Sequence, residues 1–178
     1  DEMVEAKYSS KIDIETRLGL NLERGFMLAV MHPVTEEAAK AGEQAKIFVE
    51  ALNEFEMPKI VILPNNDAGS FSVRNAIVSH RNGDYHLFAN LKREDYLGLL
   101  KEARCIVGNS SSGLLEAPTF KTAAVNIGRR QDMRFRGSNV IDVDFDKEAI
   151  VEAIRKATSK EFEEALKTWE NPYGDGKS

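Results

Sequence analysis

The chain has 178 residues, of which 42% are hydrophobic and 30% charged, and its net charge is -5. That length favours one domain with a sizeable core, and the acidic balance argues against broad nucleic-acid or anionic-membrane binding. No apolar run reaches membrane-span length and no secretory leader opens the chain; the lone cysteine, Cys105, has no internal disulfide partner, so a cytoplasmic protein is expected.

Residues 1–25 are charged, with a weak helical stripe through Ile12, Ile14 and Leu18 that Gly19 can end. They are expected to form an entry helix or interdomain segment ahead of a domain over residues 26–178. Phe26 to Met31 is a continuous apolar run, fit for a strand covered on both faces. His32-Pro33-Val34-Thr35 follows it. Thr35 is placed to cap a helix that runs to about Glu56, with Ala45, Phe48, Val49 and Leu52 on one face.

Lys59 to Leu63 reads as the second strand, and residues 64–70 as the loop after it, with Ser70 capping the helix that carries Val73, Ala76 and Ile77. Arg81 to Asp84 is a turn. Tyr85 to Phe88 is the third strand, and Lys92 to Ala103 a helix with Tyr96, Leu97, Leu100 and Ala103 inward. Cys105 to Val107 is the fourth strand. Pro118 ends or kinks a short helix, and Ala123 to Ile127 is the fifth strand. Gly128 to Gly137 is a basic loop with Arg129, Arg130, Arg134 and Arg136. Asn139 to Val143 is a sixth strand at an edge. Asp146 caps a helix, and Ser159 to Trp169 is the last one. Alternating strands and helices imply a parallel Rossmann-like sheet with helices on both faces, an α/β fold whose strand C-terminal ends share one crevice.

The stretch Gly108-Asn109-Ser110-Ser111-Ser112-Gly113-Leu114-Leu115-Glu116 sits at such an end. First-turn amides lack internal partners, and glycine admits a bulky anion to the backbone. Phosphate binding is one reading; a serine-rich helix cap with a surface glutamate is the other. The stretch is not a Walker A loop, because Leu114 and Leu115 replace Lys and Ser/Thr. The dinucleotide fingerprint and the nucleophile elbow also fail, the first for a missing middle glycine and the second because Ser112 stands where glycine is needed.

Three more strand-end loops carry chemistry: His32, Asn65 with Asp67, and Arg130 with its neighbours. Taken singly, each has an ordinary structural explanation, as a strand-end hydrogen-bonder, a turn or a solvated cation. Their convergence on one rim points to a nucleotide diphosphate. His32, His80 and His86 lack metal-ligand spacing, so neither a metal nor a cofactor is expected.

These pieces resemble the hydrolysing UDP-N-acetylglucosamine 2-epimerases. The matching segments are His32-Pro33-Val34-Thr35, Pro64 to Ser70, Gly108 to Glu116, Asn126-Ile127-Gly128-Arg129-Arg130-Gln131, Gly137-Ser138-Asn139-Val140 and Tyr173-Gly174-Asp175-Gly176. The resemblance implies the C-terminal, nucleotide-binding half of a glycosyltransferase-B type enzyme whose N-terminal domain, with the acid/base carboxylates, is not in this chain. It implies that Ser110, Ser111, Ser112 and Gly113 hold the diphosphate, that Glu116 holds ribose hydroxyls, and that the backbone near Leu91 faces uracil. His32, the catalytic residue implied within this chain, would line the sugar-diphosphate cleft with Asn65 and Arg130. The implied ligand is UDP or UDP-N-acetylglucosamine, with no nucleic-acid or membrane partner. The full-length protein would be a homodimer serving sialic-type acid biosynthesis, and this half alone would be inactive. Phe135 and Ser138 depart from the family pattern where acids are common, and Phe71 to Asn75 lacks the basic residues of a feedback site. The donor-binding domain of a glycosyltransferase and a non-catalytic nucleotide sensor are the alternatives.

Overall fold

The computed structural model describes residues 7–64 and 69–169, with Thr35 and Glu36 described in backbone only. Six parallel strands form one sheet: β1 (Met27–Val30), β2 (Lys59–Ile62), β3 (Tyr85–Phe88), β4 (Cys105–Gly108), β5 (Ala123–Ile127) and β6 (Val140–Val143). Their order is β3-β2-β1-β4-β5-β6, so the chain winds outward in one direction from β1, then returns to its other side with β4. The β1/β4 boundary is therefore the switch point, where open α/β sheets leave a crevice. In register, Val30 faces Gly108, and Gly108 faces Asn126.

The strand alternation explains the two helix layers. Met27 and Ala29 point to one face, where they meet Phe48, Val49 and Leu52 of α2 (Ala41–Leu52), Val73 and Ile77 of α3 (Ser70–His80), and Ile150 and Ile154 of α7 (Lys147–Ala157). Leu28 and Val30 point to the other, with Ile14 of α1 (Lys11–Leu18), Leu99 and Leu100 of α4 (Arg93–Glu102), and Ala117 of α6 (Ala117–Phe120). Each such large apolar side chain contributes about 1.5–3 kcal/mol on burial. Two short helices follow β4, α5 (Ser112–Leu115) and α6, and α8 (Lys160–Thr168) closes the described chain.

The first segment docks on this frame. Ser10 caps α1 by accepting from the Asp13 amide at 3.2 Å, and Gly19 ends the helix at φ 67°. Ile14 is fully buried, the Ser9 amide donates to the Glu94 carbonyl at 2.9 Å, and Arg17 pairs with the buried Asp95.

Several local expectations are corrected. Thr35 does not cap an α-helix: residues Thr35–Lys40 form a tight 3-10 segment with Val34 at the cap position, and α2 starts only at Ala41. It stops at Leu52, short of Glu56, where Phe55 turns back to the Leu52 carbonyl at 3.1 Å. Ser70 lies inside α3, because Gly69 takes the cap position in the left-handed region. The short helix expected ahead of Pro118 is α5, and Pro118 itself, with no N–H to offer the Leu114 carbonyl, sits in the first turn of α6. The break falls at Glu116. Asp146 and Ser159 do cap α7 and α8, accepting from Ala149 and Phe162 amides at 2.9 and 3.2 Å.

Candidate functional site: the rim at the β1/β4 switch point

β4 ends on Gly108 at φ 141°, in a region side chains avoid, and a Cβ there would lie 1.8 Å from the Val30 carbonyl oxygen. This close approach brings the next residue, Asn109, against the end of β1. The Asn109 amide donates to the Val30 carbonyl at 3.1 Å. Its Oδ1 accepts from the His32 amide at 2.7 Å, and its Nδ2 donates to the His32 carbonyl at 2.8 Å. From the loop after β5, Arg130 Nη1 and Gln131 Nε2 each donate to the Asn109 carbonyl at 3.0 Å. Three loops from three strands meet on one buried residue.

The serine loop continues from there. The Ser112 amide donates to Ser110 Oγ at 3.2 Å, and the Gly113 amide to the Ser110 carbonyl at 3.2 Å. The amides of Ser110 and Ser111 have no hydrogen-bond partner among the described residues. α5 is only four residues long before the break at Glu116, so its dipole is short and these two open donors matter more than the helix end.

Glu116 is held from two sides. Ser112 Oγ donates to its Oε1 at 2.7 Å, and Arg93 Nη2, from the first turn of α4, pairs with Oε2 at 2.5 Å. The Glu116 side chain is 15% exposed, whereas that of Arg93 is 63% exposed. Tyr96 lies on the α4 side of the loop, bonded with Ser112 and Ser110; burial pushes its phenol up, and those two hydroxyls partly offset the shift. Leu91, half-buried just before Arg93, makes no backbone hydrogen bond with a described residue.

The basic loop is ordered by acids. Arg136 pairs with Asp142 of β6 at 3.1 Å and donates to the Gln131 and Arg134 carbonyls. Asn126 also donates to Asp142, at 2.8 Å, and Arg129 pairs with Asp132 at 3.1 Å. A groove of about 700 Å3 opens beside Arg129, Asp132, Met133, Arg134 and Arg136, whereas the space beneath the serine loop is only about 10 Å3. A ligand at the serine loop therefore lies over it, not under it.

His32, Leu91, Ser110, Ser111, Ser112, Gly113, Glu116 and Arg130 all stand at the C-terminal edge of the sheet, following β1, β3, β4 and β5. They form two linked groups: His32 with Arg130 through Asn109, and Ser112 with Glu116. Asn65, with most of its loop, and Tyr173 to Gly176 lie outside the described residues. Sequence gives no functional role to Asn109, Gln131, Tyr96 or Arg93; the bonds that join Asn109 to His32, Arg130 and Gln131 span 21 to 77 positions, and that of Arg93 to Glu116 spans 23. Asn109 and Gln131 stand within the segments that carry the family resemblance, which gives neither a role of its own. Among the described residues, no group of His, Cys, Asp and Glu is arranged to hold a metal ion, and no helix is long and apolar enough to cross a membrane.

The family model described as UDP-N-acetylglucosamine 2-epimerase matches residues 1–178. A UDP-N,N'-diacetylbacillosamine 2-epimerase (hydrolyzing) of Legionella pneumophila is 32% identical over 179 residues, covering 100% of this chain and 46% of the relative. Polysialic acid biosynthesis protein P7 of Escherichia coli is 34% identical over 167 residues, covering 92% of this chain and 42% of its own length. A structure of UDP-GlcNAc 2-epimerase from Neisseria meningitidis bound to UDP-GlcNAc overlays with a TM-score of 0.75 at 17% identity, over 93% of this chain and 46% of that one. The chain thus spans less than half the length of the relatives it matches, and it belongs to the UDP-N-acetylglucosamine 2-epimerase family.

Proposed function

We propose that this chain is the C-terminal, UDP-binding half of a hydrolysing UDP-N-acetylglucosamine 2-epimerase, with residues 1–25 leading in from a partner domain. The observation that carries this is the convergence of His32, the serine loop and Arg130 on Asn109, beside the open amides of Ser110 and Ser111. The diphosphate lies over those amides, the serine hydroxyls of residues 110–112 and the Gly113 backbone, and the missing side chain of Gly113 lets α5 sit close on Ala124 of β5. Arg130 and His32 face its charge, and Asn65 is the further residue of this chain assigned to the sugar diphosphate. Glu116 accepts from ribose hydroxyls, and the Leu91 backbone reads uracil.

In the reaction, UDP leaves from C1 as the C2 proton is removed, giving a glycal. Water then adds with C2 inverted, releasing N-acetylmannosamine or a diacetamido analogue for sialic-type acid synthesis. The carboxylates that move those protons lie in the partner domain. This chain supplies the grip on the leaving group, and His32 is its catalytic contribution at the diphosphate. The protein acts in the cytoplasm as a homodimer, on a small-molecule nucleotide sugar.

Titration of this chain with UDP, followed by amide chemical shifts, tests the reading. Specific binding is expected, weakened about tenfold or more by Ser111→Ala or Glu116→Ala, each of which removes a hydrogen bond at a charged group. Absence of UDP binding sinks the proposal. The whole protein, given UDP-N-acetylglucosamine and no acceptor, is expected to release N-acetylmannosamine; a glycosyltransferase would not. Turnover by this chain alone would overturn its assignment as an inactive half.

A further inference from the structure

We propose that Asn109 is a positioning residue for the diphosphate, setting His32 and Arg130 at fixed places relative to the serine loop. The inference rests on the UDP-binding reading above and gives a role to a residue that touches no ligand. Asn109 is 1% exposed, so it works through its neighbours.

Asparagine after a strand usually bonds its own backbone or that of the next turn. Here the side chain does neither. Its Oδ1 and Nδ2 pair with the amide and carbonyl of His32, 77 positions away, at 2.7 and 2.8 Å. This two-point match extends the β1/β4 pairing past the end of the backbone ladder, whose last rung is the Asn109 amide on Val30. It needs one donor and one acceptor on a short planar group, which only an asparagine supplies at this reach: an aspartate lacks the donor, and a serine cannot span both atoms. The Asn109 carbonyl meanwhile takes Arg130 and Gln131 together. Gln131 is 3% exposed and spends its amide N–H there, so it braces the same carbonyl that orients the more exposed Arg130.

The point where the His32 side chain leaves the backbone, and the direction of the Arg130 guanidinium, are thus both referred to the residue that opens the serine loop. The groups assigned to the nucleoside, Glu116 and Leu91, take nothing from Asn109; Glu116 is held by Ser112 and Arg93. A positioning role at the diphosphate therefore weakens UDP and spares uridine, whereas a merely structural role weakens both alike.

The test is titration of this chain with UDP and with uridine, both followed by amide chemical shifts, for the unsubstituted chain, Asn109→Ala and Gln131→Met. Both substitutions are neutral, so a loss on UDP is not charge repulsion. Asn109→Ala is expected to bind UDP about tenfold or more weaker, and uridine within about twofold of the unsubstituted chain. Gln131→Met keeps the buried volume and the Arg130 side chain but removes the brace on the carbonyl that orients it; its UDP loss is expected to be about twofold to fivefold, with uridine unchanged. Unchanged UDP affinity, or a parallel loss on both ligands, overturns the proposal. If Asn109→Ala does not fold, the split in Gln131→Met decides alone. If the unsubstituted chain does not bind UDP, the reading of the site falls first, and that outcome is distinct from the others.

Discussion

At the N-terminal edge of the sheet the cations are spent on helix ends. Lys59 donates to the Phe55 carbonyl beyond α2, Arg104 to the Thr158 carbonyl beyond α7 at 2.8 Å, and Lys121 to the Lys167 carbonyl in α8 at 2.8 Å. The Thr122 hydroxyl donates to the Leu100 carbonyl at 2.9 Å. In an α/β sheet the helix C-termini gather at this edge, and they present orphan carbonyls with partial negative charge. At the opposite edge the donors are not all used: the amides of Ser110 and Ser111 stay open among the described residues, and Asn109 organises the groups around them. The same architecture thus closes one edge upon itself and leaves the other with unpaired amides among the described residues. What decides between them is whether local donors and acceptors balance, since both edges carry basic residues.

The sharpest way to break the open edge is Gly108→Ala. Its Cβ would lie 1.8 Å from the Val30 oxygen at a φ that alanine avoids. A stability loss above about 3 kcal/mol is expected in urea unfolding, with UDP binding lost as well. A next effect comes from the strand leading into it. Burial pushes the Cys105 thiol up to about 12 from its ordinary value near 9. Its folded pKa is raised, so the linked stability is complete below about pH 9 and is lost as pH rises from about 9 to about 12. The loss at pH ~10 is on the order of 1 kcal/mol and should be absent in Cys105→Ala, as alkaline unfolding curves will read; thiol reagents should label Cys105 only after unfolding.

A smaller effect is expected at Arg93→Ala. Arg93 offsets the Glu116 charge beside the serine loop, so on the proposed reading UDP should bind about threefold to tenfold weaker, with stability changed by less than about 1 kcal/mol. The smallest is Arg104→Met at the closed edge: a stability cost of about 1 kcal/mol or less, and UDP affinity unchanged in the same titration. Weaker UDP binding in Arg104→Met would erase the distinction between the two edges.

The sheet was readable from sequence because each strand is an apolar run bounded by polar turn residues, and all six lie within a residue or two of where the pattern puts them. That the candidate residues gather at one edge followed from strand direction alone. Cap details were less readable. Thr35 and Ser70 have the right chemistry for caps, yet the backbone at Val34 and Gly69 took those places. The roles of Asn109 and Gln131 were hidden for a different reason. Their partners come from loops far along the chain, and only the β1/β4/β5 register brings those loops into reach.

One aromatic ring follows from this packing as a ready instrument. The sequence holds a single tryptophan, Trp169, and its ring edge lies 2.7 Å from the position a Cβ on Gly137 would take, at the far end of the arginine loop. Its emission therefore samples one spot on the molecule, the junction between that loop and β6. Any repacking there when a nucleotide settles on the rim will register as a colour shift, without a dye and without altering a residue.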